Sequence, residues 1–217
     1  MDADAFRLVE TMRFDGLTIP LLDRHVARME RSAAHFGVPF DEEPMRAQVE
    51  EALDACGVTD VRRVRATLGR EGTFDVATAP VPDIDGPRTL VAADARVDSD
   101  DELLRHSTTQ RDIYEQAQRE AEAVGADEAI LVNERGEVTQ ATWGNLFVQQ
   151  GDEYVTPPVS CGCVPGVFRA RLLDTQPGMR EAVVSCRDLH NADALFYCNA
   201  VHGWRRAVLA EPQRNAA

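Results

Sequence analysis

Apolar and polar positions partly alternate through Phe6-Arg7-Leu8-Val9-Glu10-Thr11-Met12-Arg13-Phe14, and Asp15-Gly16 follows. That pattern predicts a strand running into a hairpin turn, with Leu17-Thr18-Ile19 as the return strand and Pro20 ending it. From Leu21 to Phe36 the apolar positions Leu22, Val26, Met29 and Ala33 fall at helical spacing, and Gly37 stands where a C-terminal cap belongs. Residues 41–56 predict a second amphipathic helix through Met45, Val49 and Leu53. Val61 to Leu68 and Thr73 to Thr78 read as strands joined by Gly69-Arg70-Glu71-Gly72. Ala79 to Pro87 reads as a linker, because its prolines and glycine suit neither ladder nor helix.

The second half opens with a strand from Thr89 to Ala92, followed by an acidic loop over Asp98 to Glu102. Tyr114 to Ala123 is helical and ends at Gly125. A hairpin is closed by Asn133-Glu134-Arg135-Gly136, with apolar runs at Ile130 to Val132 and Leu146 to Val148. Short strands are predicted at Tyr154 to Thr156, Ala182 to Ser185 and Ala194 to Asn199, with a turn over Asp188 to Asp193. A helix starts at Val167 directly after Pro165-Gly166. No internal repeat or low-complexity segment interrupts this order.

With 217 residues the chain can hold one moderate domain or two small ones. A formal charge of −14 argues against nucleic acid or an anionic membrane as partner, since both are polyanions. No run approaches the ~20 apolar residues of a membrane span. Met1-Asp2-Ala3-Asp4 lacks the basic and apolar regions of a signal peptide. Five cysteines without framework spacing fit a reducing cytoplasm, so a soluble cytoplasmic protein is expected.

Two clusters carry candidate chemistry. His106-Ser107-Thr108-Thr109 places a base beside a hydroxyl, but neighbours in a strand point to opposite faces, so the pair is not automatically a base and nucleophile. Cys161-Gly162-Cys163 stands just before a helix start, where thiolates are favoured, so it could attack an electrophile or hold a soft metal; structural cysteines are the simpler reading. Trp143 and Trp204 read as core or dimer-interface aromatics, and Tyr114 as core. All 23 residues counted as Lys plus Arg are arginines. A Schiff base needs an amine that can shed its proton; lysine supplies it and arginine does not.

The stretch from Leu103 to Val148 resembles the class IV aminotransferase family, the fold-type IV pyridoxal-phosphate (PLP) enzymes, and within it the aminodeoxychorismate lyases. The resemblance extends to Leu8-Val9-Glu10-Thr11-Met12-Arg13, Leu21 to Met29, Val164-Pro165-Gly166-Val167 and Asn199 to Trp204. It implies a two-domain α+β fold, with a small domain over residues 1–84 and a larger pseudo-barrel domain over 85–217. It also implies a homodimer with the pocket between the domains. Arg28 would reach a cofactor phosphate, and backbone N–H groups of Val167 and Phe168 would hold the same anion. Arg111 would clamp a substrate carboxylate.

Where the family has its Schiff-base lysine, this chain has Ser107, and where it has the acid facing the pyridine nitrogen, this chain has Gln140. Ala200 and His202 stand where the family often has a hydroxyl and an arginine. The implied cofactor state is therefore none covalent, with non-covalent PLP or phosphate left open. Three functions follow. One is a PLP-independent enzyme on a small anionic, chorismate-like or amino-acid-like substrate, with Ser107, His106, Cys161, Cys163 or His202 supplying chemistry. A second is a catalytically silent homologue binding PLP or a metabolite, and a third is a lysine-replaced variant of a PLP-dependent lyase.

Overall fold

A computed structural model describes residues 6–57 and 59–210; Met1 to Asp4 lie outside them. The chain forms two compact units that are not consecutive in sequence. The first takes the chain up to Ile84 with His106–Gln110 and Ala200–His202, and the second takes Asp85–Arg105, Arg111–Asn199 and the chain from Gly203.

The first unit is built on an antiparallel sheet in the order β1 (Arg7–Phe14), β2 (Arg62–Gly69), β3 (Phe74–Pro80). Alternation works here as the pleat demands: Leu8, Glu10, Met12 and Phe14 are buried, as are Val64, Ala66 and Leu68 on β2. Helices α1 (Leu22–Phe36) and α2 (Glu42–Cys56) cover this face with Val26, Met29, Ala33, Met45 and Val49. Gly37 ends α1 at φ 65°, and its N–H bonds the carbonyls of Ala33 and Ala34. On its free edge, β1 gains the segment His106–Gln110: Val9 N–H donates to Ser107 O (2.8 Å), Thr109 N–H donates to Arg7 O (2.9 Å), and Leu8 pairs with Thr108.

The expected return strand Leu17–Ile19 does not form. The Asp15 carboxylate accepts from Leu17 N–H (2.9 Å) and Thr18 N–H (2.8 Å), which turns the chain at once and leaves Leu17 85% exposed. The partner of β1 is the distant β2 instead.

The second unit contains an eight-stranded mixed sheet. Its order is β6 (Val138–Ala141), β5 (Glu128–Asn133), β4 (Arg88–Val97), β11 (Gly203–Leu209), β10 (Ala194–Asn199), β7 (Asn145–Gln150), β8 (Glu153–Thr156), β9 (Met179–Glu181). The two ends approach one another: Val138 N–H donates to Val184 O (2.7 Å), and Glu137 pairs with Ser185. The sheet thereby curls into a pseudo-barrel around Leu90, Ile130, Leu146, Val148, Leu195 and Tyr197. Helix α3 (Asp112–Ala123) packs Tyr114, Ala117 and Ala121 against Ala93 and Leu131. Helix α4 (Val167–Thr175) lies by an aromatic cluster of Phe147, Phe168, Phe196 and Trp204.

Two local expectations are corrected. Residues 182–185 are not a strand; the ladder runs over Met179–Glu181. The expected turn at 188–193 is in its first half a short helix, α5 (Cys186–His190), capped reciprocally by Ser185 and Asp188.

Candidate functional site

In the first unit α1 aligns His25, Arg28, Ser32 and His35 at helical spacing. Buried Glu10 on β1 accepts from Arg28 Nε (2.8 Å) and Nη2 (2.6 Å), and its other contact is His25 Nδ1 (2.5 Å). Burial acts to raise the Glu10 pKa, but the Arg28 charge and the His25 hydrogen bond outweigh it and hold the carboxyl below its ordinary value. His25 Nε2 is buried without a partner. The Nε/Nη2 edge of Arg28 is thereby held by Glu10. One turn further, Ser32 Oγ meets His106 Nδ1 (2.9 Å), and the His106 ring stacks on His35 (4.5 Å between centroids) and meets the edge of Phe36 (4.8 Å).

His106 lies on the helix side of the sheet. The Leu8–Thr108 pairing sets Ser107 opposite Val9, so Ser107 belongs to the other face. That face carries Arg7, Thr11 and Arg13 from β1 and Arg63, Arg65 and Thr67 from β2. Arg7 is committed to structure, with Nε on Thr67 Oγ1 (2.9 Å) and an ion pair to Asp75. Arg13 Nη1 donates to Val201 O (2.8 Å). Arg63 sits directly opposite Arg13, a like-charge pairing that costs stability.

Opposite Arg63 and Arg65 on β3 stand Ala79 and Ala77. Among the described residues no acid or carbonyl accepts from either guanidinium. Burial, then the charges of Arg63 and Arg7, push the Arg65 pKa below its ordinary value, the signature of crowded positive charge. Sequence reasoning missed this face, although Arg63 and Arg65 at i, i+2 in a predicted strand signal it. Ala200 and His202 flank Val201 in the same unit. Among the described residues the Ser107 hydroxyl has no side-chain partner, so it lacks the base a nucleophile needs.

In the second unit Gln140 is buried, with Nε2 donating to Tyr114 Oη (2.7 Å) and Oε1 accepting from Val164 N–H (3.1 Å). Burial raises the Tyr114 pKa well above the ordinary phenol value. Asn145 Nδ2 donates to Val164 O (3.0 Å), so the loop before α4 is held from two strands. No side chain caps α4 at Gly166, which leaves the first-turn N–H groups, including those of Val167 and Phe168, oriented for an anion. Arg111 Nη2 donates to Thr142 O (2.7 Å) while its guanidinium stacks on Tyr114 and Trp143, an arrangement that ties it to the turn after β6.

Cys161 and Cys163 are both buried, which agrees with the simpler reading of them as structural cysteines. Burial, reinforced by Glu137, pushes Cys161 up to about 12, and burial pushes Cys163 up to about 11, so both stay protonated thiols. The advantage of a nearby helix start is smaller than the desolvation. Among the described residues no group of three or more His, Cys, Asp or Glu converges as metal ligands. No described helix is long and apolar enough to cross a membrane.

A model of the Amino-transferase class IV family matches residues 7–209. The chain belongs to the class IV aminotransferase family. A Schizosaccharomyces pombe protein named as an aminodeoxychorismate lyase is 30% identical over 173 residues, spanning 77% of this chain and 73% of its own length. A solved Mesorhizobium loti protein, named as an amino-acid aminotransferase, is 37% identical with a TM-score of 0.88, covering 94% of this chain and 100% of that one. A Brucella abortus aminotransferase solved with PLP bound shares the fold at a TM-score of 0.84 and 19% identity, covering 96% of this chain and 82% of that one.

A covalently held PLP does not fit the residues present here. No side chain among the 217 offers an amine, and the Gln140 amide is bonded at both ends to the protein.

Proposed function

We propose that this chain is a metabolite-binding member of the class IV family, which takes up a small anionic ligand without Schiff-base chemistry. The observation that supports this most strongly is the sheet face carrying Ser107, Arg63 and Arg65. It presents two guanidinium groups without acidic partners among the described residues, in a chain of net charge −14. Positive charge crowded against positive charge costs stability, and an anion that forks to both groups relieves it. PLP or phosphate, where bound, is held non-covalently on this reading. A homodimer in the cytoplasm belongs to the same reading.

Turnover of an aminodeoxychorismate-like substrate is the second reading, favoured by the name of the S. pombe relative. It requires a proton acceptor, and the groups offered for that role are engaged or protonated: His106 with Ser32, Cys161 with Glu137. Calorimetric titration of the native protein with succinate and with inorganic phosphate tests the first reading. Saturable binding that Arg65→Gln weakens by about tenfold or more is expected. Equal affinity in both proteins removes the arginine face from the account.

A further inference from the structure

Glu128 on β5 is a carboxyl that is 1% exposed, yet it gathers donors from three other places in the second unit. Arg88 Nη2, at the start of β4, pairs with its Oε1 (3.1 Å). The Tyr197 hydroxyl on β10 hydrogen-bonds the same carboxyl. Trp143 N–H, in the turn between β6 and β7, donates to Oε2 (2.9 Å). Thr142 Oγ1 lies 3.4 Å from Oε2, but its hydrogen goes to the nearer Gln118 Oε1 (2.7 Å) on α3. Two further charges face this cluster. Asp127 shares Arg88 (3.3 Å), and Arg111 reaches the turn through Thr142 O (2.7 Å).

An ionised carboxylate accepts from all three donors at once, whereas a protonated one loses its charge and commits one oxygen to a hydrogen. The donors differ in what they keep after that change. Arg88 retains Asp127, and Tyr197 Oη still accepts from Asn199 Nδ2 (2.6 Å). Among the described residues Trp143 N–H has no second acceptor, so the turn is the part that lets go. Gly144 sets the direction: a Cβ there would meet the Tyr197 ring at 2.5 Å, so the turn has room only outward. Its indole already faces solvent at 54% exposure.

We propose that Glu128 is a proton-operated latch: ionised, it holds the turn Thr142-Trp143-Gly144 against the barrel, and on taking up a proton it frees the turn to swing Trp143 outward. Burial pushes the Glu128 carboxyl above its ordinary value of 4.5, against the Trp143 N–H and the Arg88 charge, which pull it down. The folded protein therefore takes up this proton at a pH where an unfolded chain would still be ionised. The device lies within the second unit and does not depend on the arginine face of the first.

The test uses Trp204→Phe protein whose circular dichroism matches the parent, which leaves Trp143 as the sole indole emitter. Emission and circular dichroism are read together as the pH is lowered from about 9 to 4.5. Trp143 emission is expected to change in a one-proton step while the circular dichroism holds. Tyr197→Phe removes a donor to the carboxylate and should raise the midpoint by about one pH unit. Glu128→Gln, neutral at every pH, should show no step. A step that is absent, that survives Glu128→Gln, or that Tyr197→Phe leaves unmoved overturns the proposal. So does a step that coincides with loss of circular dichroism, because it then reports global unfolding.

Discussion

Replacing Glu10 with glutamine preserves shape and removes one charge from the best-buried polar cluster in the first unit. Glu10 is 1% exposed, and it holds both the Nε/Nη2 edge of Arg28 and His25 Nδ1 at 2.5–2.8 Å. Breaking a buried ion pair from one side costs about 3–5 kcal/mol, because the remaining cation stays desolvated. The Arg28 side chain is 11% exposed and can regain some water, which argues for the lower end, ~3 kcal/mol. At roughly 2–4 °C per kcal/mol for a chain of this size, Tm falls by ~10 °C at pH 7.

The sign of the pH dependence follows from the depressed native pKa. The stabilisation is present above the unfolded carboxyl's ordinary value of 4.5 and is lost as pH falls through the lower native value. The difference between parent and Glu10→Gln should therefore shrink below about pH 4. Differential scanning calorimetry from pH 7 to pH 3 measures both quantities. A Tm change under ~2 °C at pH 7, or a difference that grows on acidification, would refute the assignment of Glu10 as a charged clamp on Arg28.

Cys161 and Cys163, pushed up to about 12 and about 11, should react with iodoacetamide at neutral pH at least about a hundredfold more slowly than free cysteine. Peptide mass mapping of the folded protein reads this, and labelling of either at the free-cysteine rate contradicts the thiol assignment. Ser107→Lys restores the missing amine on the arginine-bearing face. Its PLP mixture should retain one borohydride-reduced cofactor at the substituted position, whereas the parent retains none on any internal residue. Failure of the variant to retain it would mean that more than the amine has been lost.

The hydrophobic pattern carried β1, α1 and α2 because each buries one face of a short, regular element. It failed at Leu17–Ile19, where a local carboxylate turn outweighs β propensity and the true strand partner comes from β2, some fifty residues away. Such long-range pairing leaves no local mark. The same limit hid the arginine face: Arg63 and Arg65 are visible as an i, i+2 pair, but Arg13 becomes their neighbour, and Ser107 joins the same sheet face, only through strand register. For Cys161 and Cys163 the spacing is conspicuous, and the simpler reading as structural cysteines agrees with a burial that only tertiary structure reveals. Trp143 read as a core or dimer-interface aromatic, and its 54% exposure removes the first of these two alternatives. The family motifs, by contrast, were legible along nearly the whole chain, as the match over residues 7–209 shows.

On the proposed function, ligand charge is met by arginine rather than by an amine. Arginine Nε–Hε spectra of the 15N-labelled native protein, recorded while succinate is added, address it directly. The Arg63 and Arg65 resonances are expected to shift together and saturate while that of Arg7, tied to Thr67 and Asp75, stays in place. Saturable binding with both resonances unmoved would contradict it.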